Sequence, residues 1–177
     1  KVKIATDIIS DLVKDGNDVI IGHGNGPQVG MINLAMDYSA NGKEKTPLMP
    51  IVECGAMSQG YVGYHLQQAL GHAFKDKGIN KTAVSVVTQV EVAEDDKAFE
   101  HPTKPVGMFY TKEKADELAR EKGFTFVEDA GRGYRKVVPS PKPLHIVEID
   151  AVKKMVDAGL VDITVGGGGI PVVKKND

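Results

Sequence analysis

The chain has 177 residues, enough for one domain with its own core, and its 22 Lys and Arg against 24 Asp and Glu leave a net charge of −2. That balance gives no general attraction for a polyanion, so nucleic acid is not expected as a partner. One cysteine, Cys54, excludes an internal disulfide framework, and no apolar run approaches the roughly 20 residues of a membrane span. With no signal-peptide pattern at its start, the chain reads as cytoplasmic.

The opening "KVKIATDIISDLVKDG" puts Ile4, Ile8, Leu12 and Val13 on one face of a helix stopped at Gly16. "DVIIG" reads as a short buried strand, and it breaks into "GHGNGPQVG", where three glycines alternate with His23 and Asn25. "QVGMINLAMDYSANG" predicts a helix ending near Asn41. "MSQGYVGYHLQQALGHAFKDKG" predicts a longer one, with Met57, Tyr61, Tyr64, Leu66, Leu70, Ala73 and Phe74 near helical spacing. "TAVSVVTQVEV" is β-branched and reads as one strand.

From Ala93 the chain turns charged and proline-punctuated. A polar helix is predicted from Thr111 to Lys122 with Thr111 as N-cap, then a hairpin of "FTFVED" and "YRKVVP" around "AGRG". Regular order resumes with a helix around Ile149–Ala158, Val152, Met155 and Val156 facing inward and Gly159 stopping it. "LVDITV" is a further buried strand, ended by four glycines.

This alternation predicts an α/β domain with a largely parallel sheet, formed by residues 1–92 and 146–177, with 93–145 inserted as a protruding lid. The chain opens on a helix without an initiator methionine and stops shortly after "GGGGIPVV". It is therefore expected to represent part of a longer polypeptide.

In open α/β sheets ligands bind beyond the carboxyl ends of strands, where both glycine loops are predicted to fall. Glycine lets main-chain N–H groups point into one concavity, and a following helix N-terminus favours an anion, so phosphate or a small carboxylate is the expected ligand. Lys104, between Pro102 and Pro105, presents a cation from restricted backbone; a solvated loop lysine is the plain alternative. Arg132, Arg135 and Lys136 beside the hairpin turn either clamp an anion or pair with Glu128 and Asp129. His23 reads as a packed or backbone-bonded imidazole and Cys54 as a small buried apolar residue; the histidines show no metal-ligand spacing. Gly24, Gly26 and Gly30, with Glu53 beyond, also approach a dinucleotide fingerprint, the basis of a rival NAD-dependent oxidoreductase reading that Pro50 weakens.

Taken together, "HGNGPQVG", "MSQGYVGY", "TQVEV", "PTKPVGMFY", "EDAGRGYRKVVPSPKP" and "GGGGIPVV" resemble carbamate kinase, within the amino-acid kinase superfamily. The resemblance implies a three-layer α/β sandwich. It also implies phosphoryl transfer between ATP and carbamate, with Mg²⁺, giving or consuming carbamoyl phosphate in the arginine deiminase pathway, in a cytoplasmic homodimer. On its motifs Gly24, Asn25 and Gly26 would line the phosphoryl and carbamate site, and Lys104 would reach the transferring group. Gly166, Gly167, Gly168 and Gly169 would lie near the nucleotide phosphates, and no residue is assigned to a metal. The family's first strand and its nucleotide domain have no counterpart in these residues, so the chain alone is expected to be inactive. A non-catalytic anion-binding protein of the same fold is the alternative.

Overall fold

The computed structural model describes residues 2–43 and 45–175. Helix α1 (Val2–Lys14) leads to β1 (Ile20–Ile21), α2 (Gly26–Ala40), α3 (Ile51–Asp76), β2 (Ala83–Ser85) and β3 (Gln89–Val92). A short 3-10 helix at Lys97–Phe99 precedes β4 (Lys104–Tyr110), α4 (Lys112–Lys122), β5 (Thr125–Glu128), β6 (Tyr134–Val138) and β7 (Pro143–Ile146). Then come α5 (Ile149–Asp157), β8 (Val161–Ile163), a second 3-10 helix at Gly166–Gly168 and β9 (Ile170–Val172).

The fold is mixed α/β with a parallel sheet, as the alternating pattern predicts. Strand β8 lies between β1 and β2 and runs parallel to both. Val161 and Ile163 on β8, with Ile21 and Ala83 beside them, pack against Val13 of α1 and Leu66, Leu70 and Phe74 of α3. Each large side chain removed from water there contributes about 1.5–3 kcal/mol. Helix α5 also packs on β8, with Val152 buried and Met155 and Val156 partly so.

Two helices present other faces than periodicity suggests. On α1 the apolar stripe points outward, with Ile4, Ile8 and Leu12 exposed, while Thr6, Ser10 and Val13 are buried. Thr6 Oγ1 donates to Val2 O and Lys3 O and Ser10 Oγ to Thr6 O, so small hydroxyls satisfied on their own helix form the inner face. On α3, Leu66, Leu70, Ala73 and Phe74 face the core, whereas Met57, Tyr61 and Tyr64 form a separate exposed stripe. That helix also begins at Ile51, so "LMPIVE" supplies a helix start rather than a strand.

"TAVSVVTQVEV" divides into two strands of different sheets. Val86 N still bonds to Ile163 O at 2.9 Å, beyond which the chain leaves the first sheet. Strand β3 then pairs antiparallel with β7 and parallel with β9. Strand β9 follows the four glycines, beyond the elements that the sequence predicts, and its lead residue Ile170 donates to Thr88 O at 2.9 Å.

Strands β4, β6 and β5 form a third, antiparallel sheet, and α4 begins at the Thr111 cap as predicted, Thr111 Oγ1 accepting from Lys114 N at 3.3 Å. The sheet rests on α2 where Gly30 meets Gly107; a β-carbon on Gly30 would lie 3.2 Å from Gly107 Cα. Asp96 joins the two ends of this excursion, accepting from Ala98 N at 2.8 Å and Lys142 N at 2.9 Å.

Candidate functional site

The two glycine loops meet. Thr164 N donates to Ile21 O at 2.9 Å and Gly167 N to His23 O at 2.8 Å, so the loop after β8 runs against the loop after β1. A β-carbon on Gly166 would strike the His23 ring, and one on Gly167 the Asn25 carboxamide. His23 Nδ1 donates to Gly24 O at 3.1 Å, the backbone-bonded imidazole expected from the sequence.

Asn25 and Gly167 line a cavity of about 270 Å³ together with Gly169 and, from β4, Lys104. Three segments distant in sequence therefore converge there, and the rest of the wall is largely apolar, including Val29, Val52, Val106 and Val138. Among the described residues, Lys104 is the only charged side chain on it. Gly24, Gly26, Gly166 and Gly168 border the loops without lining the cavity.

The loops differ in what their main chain offers. Gly167, Gly168 and Gly169 N–H groups bond to His23 O, Val165 O and Gly166 O, leaving none of the three for a ligand. Among the described residues, the N–H groups of Gly24, Asn25 and Gly26 meet no protein acceptor. Helix α2 starts at Gly26 with Pro27 in its first turn, adding the positive end of its dipole. The first loop thus has three N–H groups without a protein acceptor among the described residues, whereas Gly167–Gly169 form a bonded wall. Val165, just before that wall, has φ +45°, a left-handed conformation that a β-branched residue adopts only under constraint.

Helix α3 ties both loops down through two residues absent from the sequence-based candidates. Ser58, fully buried, accepts from Asn25 Nδ2 at 2.8 Å and donates to Gly55 O at 2.6 Å. Gln59 accepts from Thr88 N at 2.7 Å and donates to Thr88 O at 3.1 Å and Gly166 O at 3.0 Å. Thr88 Oγ1 in turn accepts from Val165 N at 3.1 Å and lies 2.7 Å from Thr164 Oγ1. In the sequence, "MSQGYVGY" predicts helical spacing and carries part of the resemblance but assigns no role to Ser58 or Gln59; the adjacent Ser-Gln pair is the one signal the sequence holds.

The arginines lie elsewhere. Arg135 and Arg132 both bind Asp129, at 3.3 and 3.1 Å, and hold its carboxyl below the usual range; Arg135 also donates to Gly107 O. Lys136 lines a second cavity of about 300 Å³ with Asp37, Tyr110 and Phe124, its Nζ 3.4 Å from the Phe124 ring centroid. Burial pushes the Lys136 ammonium down from its ordinary pKa. Cys54 is buried, as expected, and burial pushes its thiol up. Glu53 lies in the first turn of α3 and not at the end of a second strand, where the dinucleotide reading requires its acid.

No family model matches the chain. Over 166 residues it is 55% identical to carbamate kinase 3 of Staphylococcus aureus (strain USA300), covering 94% of this chain and 53% of that protein. The chain is similar to carbamate kinases over nearly its whole length. It is also 53% identical over 176 residues to the carbamate kinase-like protein YqeA of Escherichia coli (strain K12), 56% of whose length is covered. Carbamate kinase from Giardia lamblia bound to AMP-PNP superposes with a TM-score of 0.86 at 45% identity, over 99% of this chain and 55% of that one. A protein from Aeropyrum pernix K1 reaches 0.92 at 37% identity, over 99% and 55%. The chain spans about half the length of the carbamate kinases it matches.

Proposed function

We propose that the protein containing this chain transfers a phosphoryl group between ATP and carbamate, interconverting them with ADP and carbamoyl phosphate, and that this chain supplies the carbamate side. The observation that carries the reading is the convergence of Asn25, Lys104 and Gly167 on one cavity beside the unbonded N–H groups of Gly24–Gly26. A loose phosphoryl transition state spreads charge over its equatorial oxygens, and oriented N–H donors with one ammonium answer that charge. Residues 93–145 act as the lid that brings Lys104 to the group and excludes water. Gly166–Gly169 shape the wall towards the nucleotide, whose use the AMP-PNP complex of the Giardia relative supports. Among the described residues no carboxylate lines the cavity, so these side chains are not offered as Mg²⁺ ligands. The same reading makes the protein a cytoplasmic homodimer serving the arginine deiminase pathway, and this chain alone inactive.

The test is ATP formation from ADP and carbamoyl phosphate by the full-length protein. Lys104→Ala is expected to lower kcat at least about 100-fold while the fold is retained, because Lys104 is exposed. Wild-type turnover in that variant removes Lys104 from the chemistry. A cavity whose only charged side chain among the described residues is a lysine also suits a protein that binds an anion without transferring it. Calorimetry separates the two: binding of carbamoyl phosphate by a full-length protein that does not bind ADP favours the binder.

A further inference from the structure

We propose that Ser58 and Gln59, neighbours on α3, are positioning residues that orient the Asn25 carboxamide and hold the 166–169 turn against it, so that the anion site is preformed. The importance of this strut for anion binding rests on the function proposed above; its geometry does not.

The hydrogen bonds have only one consistent direction. Ser58 has one hydroxyl hydrogen, and Gly55 O takes it at 2.6 Å. Ser58 Oγ can therefore only accept from Asn25, which must turn Nδ2 rather than Oδ1 towards it, at 2.8 Å. One Nδ2 hydrogen is left over on a residue that lines the cavity, so Ser58 makes Asn25 a donor there. Gln59 is fixed in the same way. Thr88 N–H can only donate, which assigns Oε1 to it and leaves Nε2 for Gly166 O at 3.0 Å. Both carboxamide ends of Gln59 are thus occupied, and the side chain is 4% exposed.

A single helical turn therefore grips one loop through Ser58 and the other through Gln59. Because the two residues are adjacent on a rigid 26-residue helix, the loops cannot change spacing independently of α3. Preorganisation of this kind reduces the ordering cost when an anion binds. It also explains how Val165 is kept at φ +45°: its N–H is held by Thr88, and Thr88 is held by Gln59.

The test uses the ¹⁵N-labelled full-length protein, the Asn25 side-chain NH₂ and Gly167 amide resonances, and titration with inorganic phosphate. In the wild type the Asn25 NH₂ pair is expected to lie away from free-amide shifts; a free-amide pair overturns the proposal without any variant. Ser58→Ala is expected to return that pair towards free-amide values and weaken phosphate binding about tenfold, the loss of one oriented hydrogen bond. Gln59→Glu, which turns a carboxylate oxygen on Gly166 O, is expected to shift the Gly167 amide. Leu70→Ala, a core change distant from both loops in sequence, is the control for general loss of stability and is expected to leave phosphate affinity unchanged. Unaltered Asn25 resonances in Ser58→Ala overturn the strut. If they move and phosphate binds neither protein, the strut stands and the anion-site reading fails.

Discussion

The Asn25 carboxamide occupies the space where a side chain on Gly167 would begin, although 141 residues intervene between the two. Gly167 also has φ +66°, so bare main chain is required there both by its neighbour and by its own conformation. Gly167→Ala is expected to cost at least about 1–2 kcal/mol from the left-handed backbone, and more because Asn25 must move. Urea denaturation measures the loss, and phosphate titration of the same variant should show weaker binding. Wild-type behaviour in both would mean that the loops do not touch in solution.

Asp162 should be replaceable with profit to stability. It sits at the centre of β8 with no exposure, and neither carboxylate oxygen accepts a hydrogen bond among the described residues. Burial pushes its carboxyl up from the ordinary value. The folded chain therefore holds that proton more tightly than the unfolded one. The resulting stability is full below the ordinary carboxylate pKa of about 3.9 and lost as pH rises through the raised folded value. Asp162→Val, a β-former between Ile20 and Val84 in register, is expected to stabilise by about 1–3 kcal/mol at pH 7 and by less near pH 3. Denaturation at the two pH values decides; equal differences would exclude titration of this carboxylate as the cause.

Asp96 titrates in the opposite sense. Hydrogen bonds from Ala98 N and Lys142 N hold its carboxyl below the usual range. The contribution is present above the ordinary carboxylate pKa and lost as pH falls through the lowered folded value. Hydrogen exchange at the Lys142 amide should accelerate relative to neighbouring amides in acid. In Asp96→Ala that amide should exchange quickly at every pH, and continued protection would show that Asp96 does not secure it.

The outward stripe of α1 yields a contrast between surface and core. Ile4 and Ile8 are 68% and 60% exposed, against 0% for Leu70. In this chain Ile4→Lys and Ile8→Lys are expected to change stability by under about 0.5 kcal/mol, and Leu70→Ala to cost about 2–5 kcal/mol. Losses of several kcal/mol from both lysine variants would restore the inward stripe suggested by periodicity.

Features set by neighbouring residues were readable in the sequence. Thr111 caps α4, Gly159 stops α5 with φ +81°, "LVDITV" is the central strand, and the glycine clusters mark strand ends, because turn, cap and strand preferences act over a few residues. The division of "TAVSVVTQVEV" was not readable, since both halves are equally β-branched and only pairing with β8 or with β7 and β9 separates them. Nor was the outward face of α1, where helical period identifies a stripe but not the side on which the sheet lies.

The same distinction holds at the site. Composition and spacing by themselves determined that two glycine-rich loops follow strands and that Lys104 is held between prolines. Only the tertiary structure decided that, among the described residues, the N–H groups of Gly24, Asn25 and Gly26 meet no protein acceptor while those of Gly167, Gly168 and Gly169 are bonded internally, and that Ser58 and Gln59 connect the two loops. Glycine confers backbone freedom locally, but which carbonyl a freed N–H meets depends on chain brought close from far away in sequence.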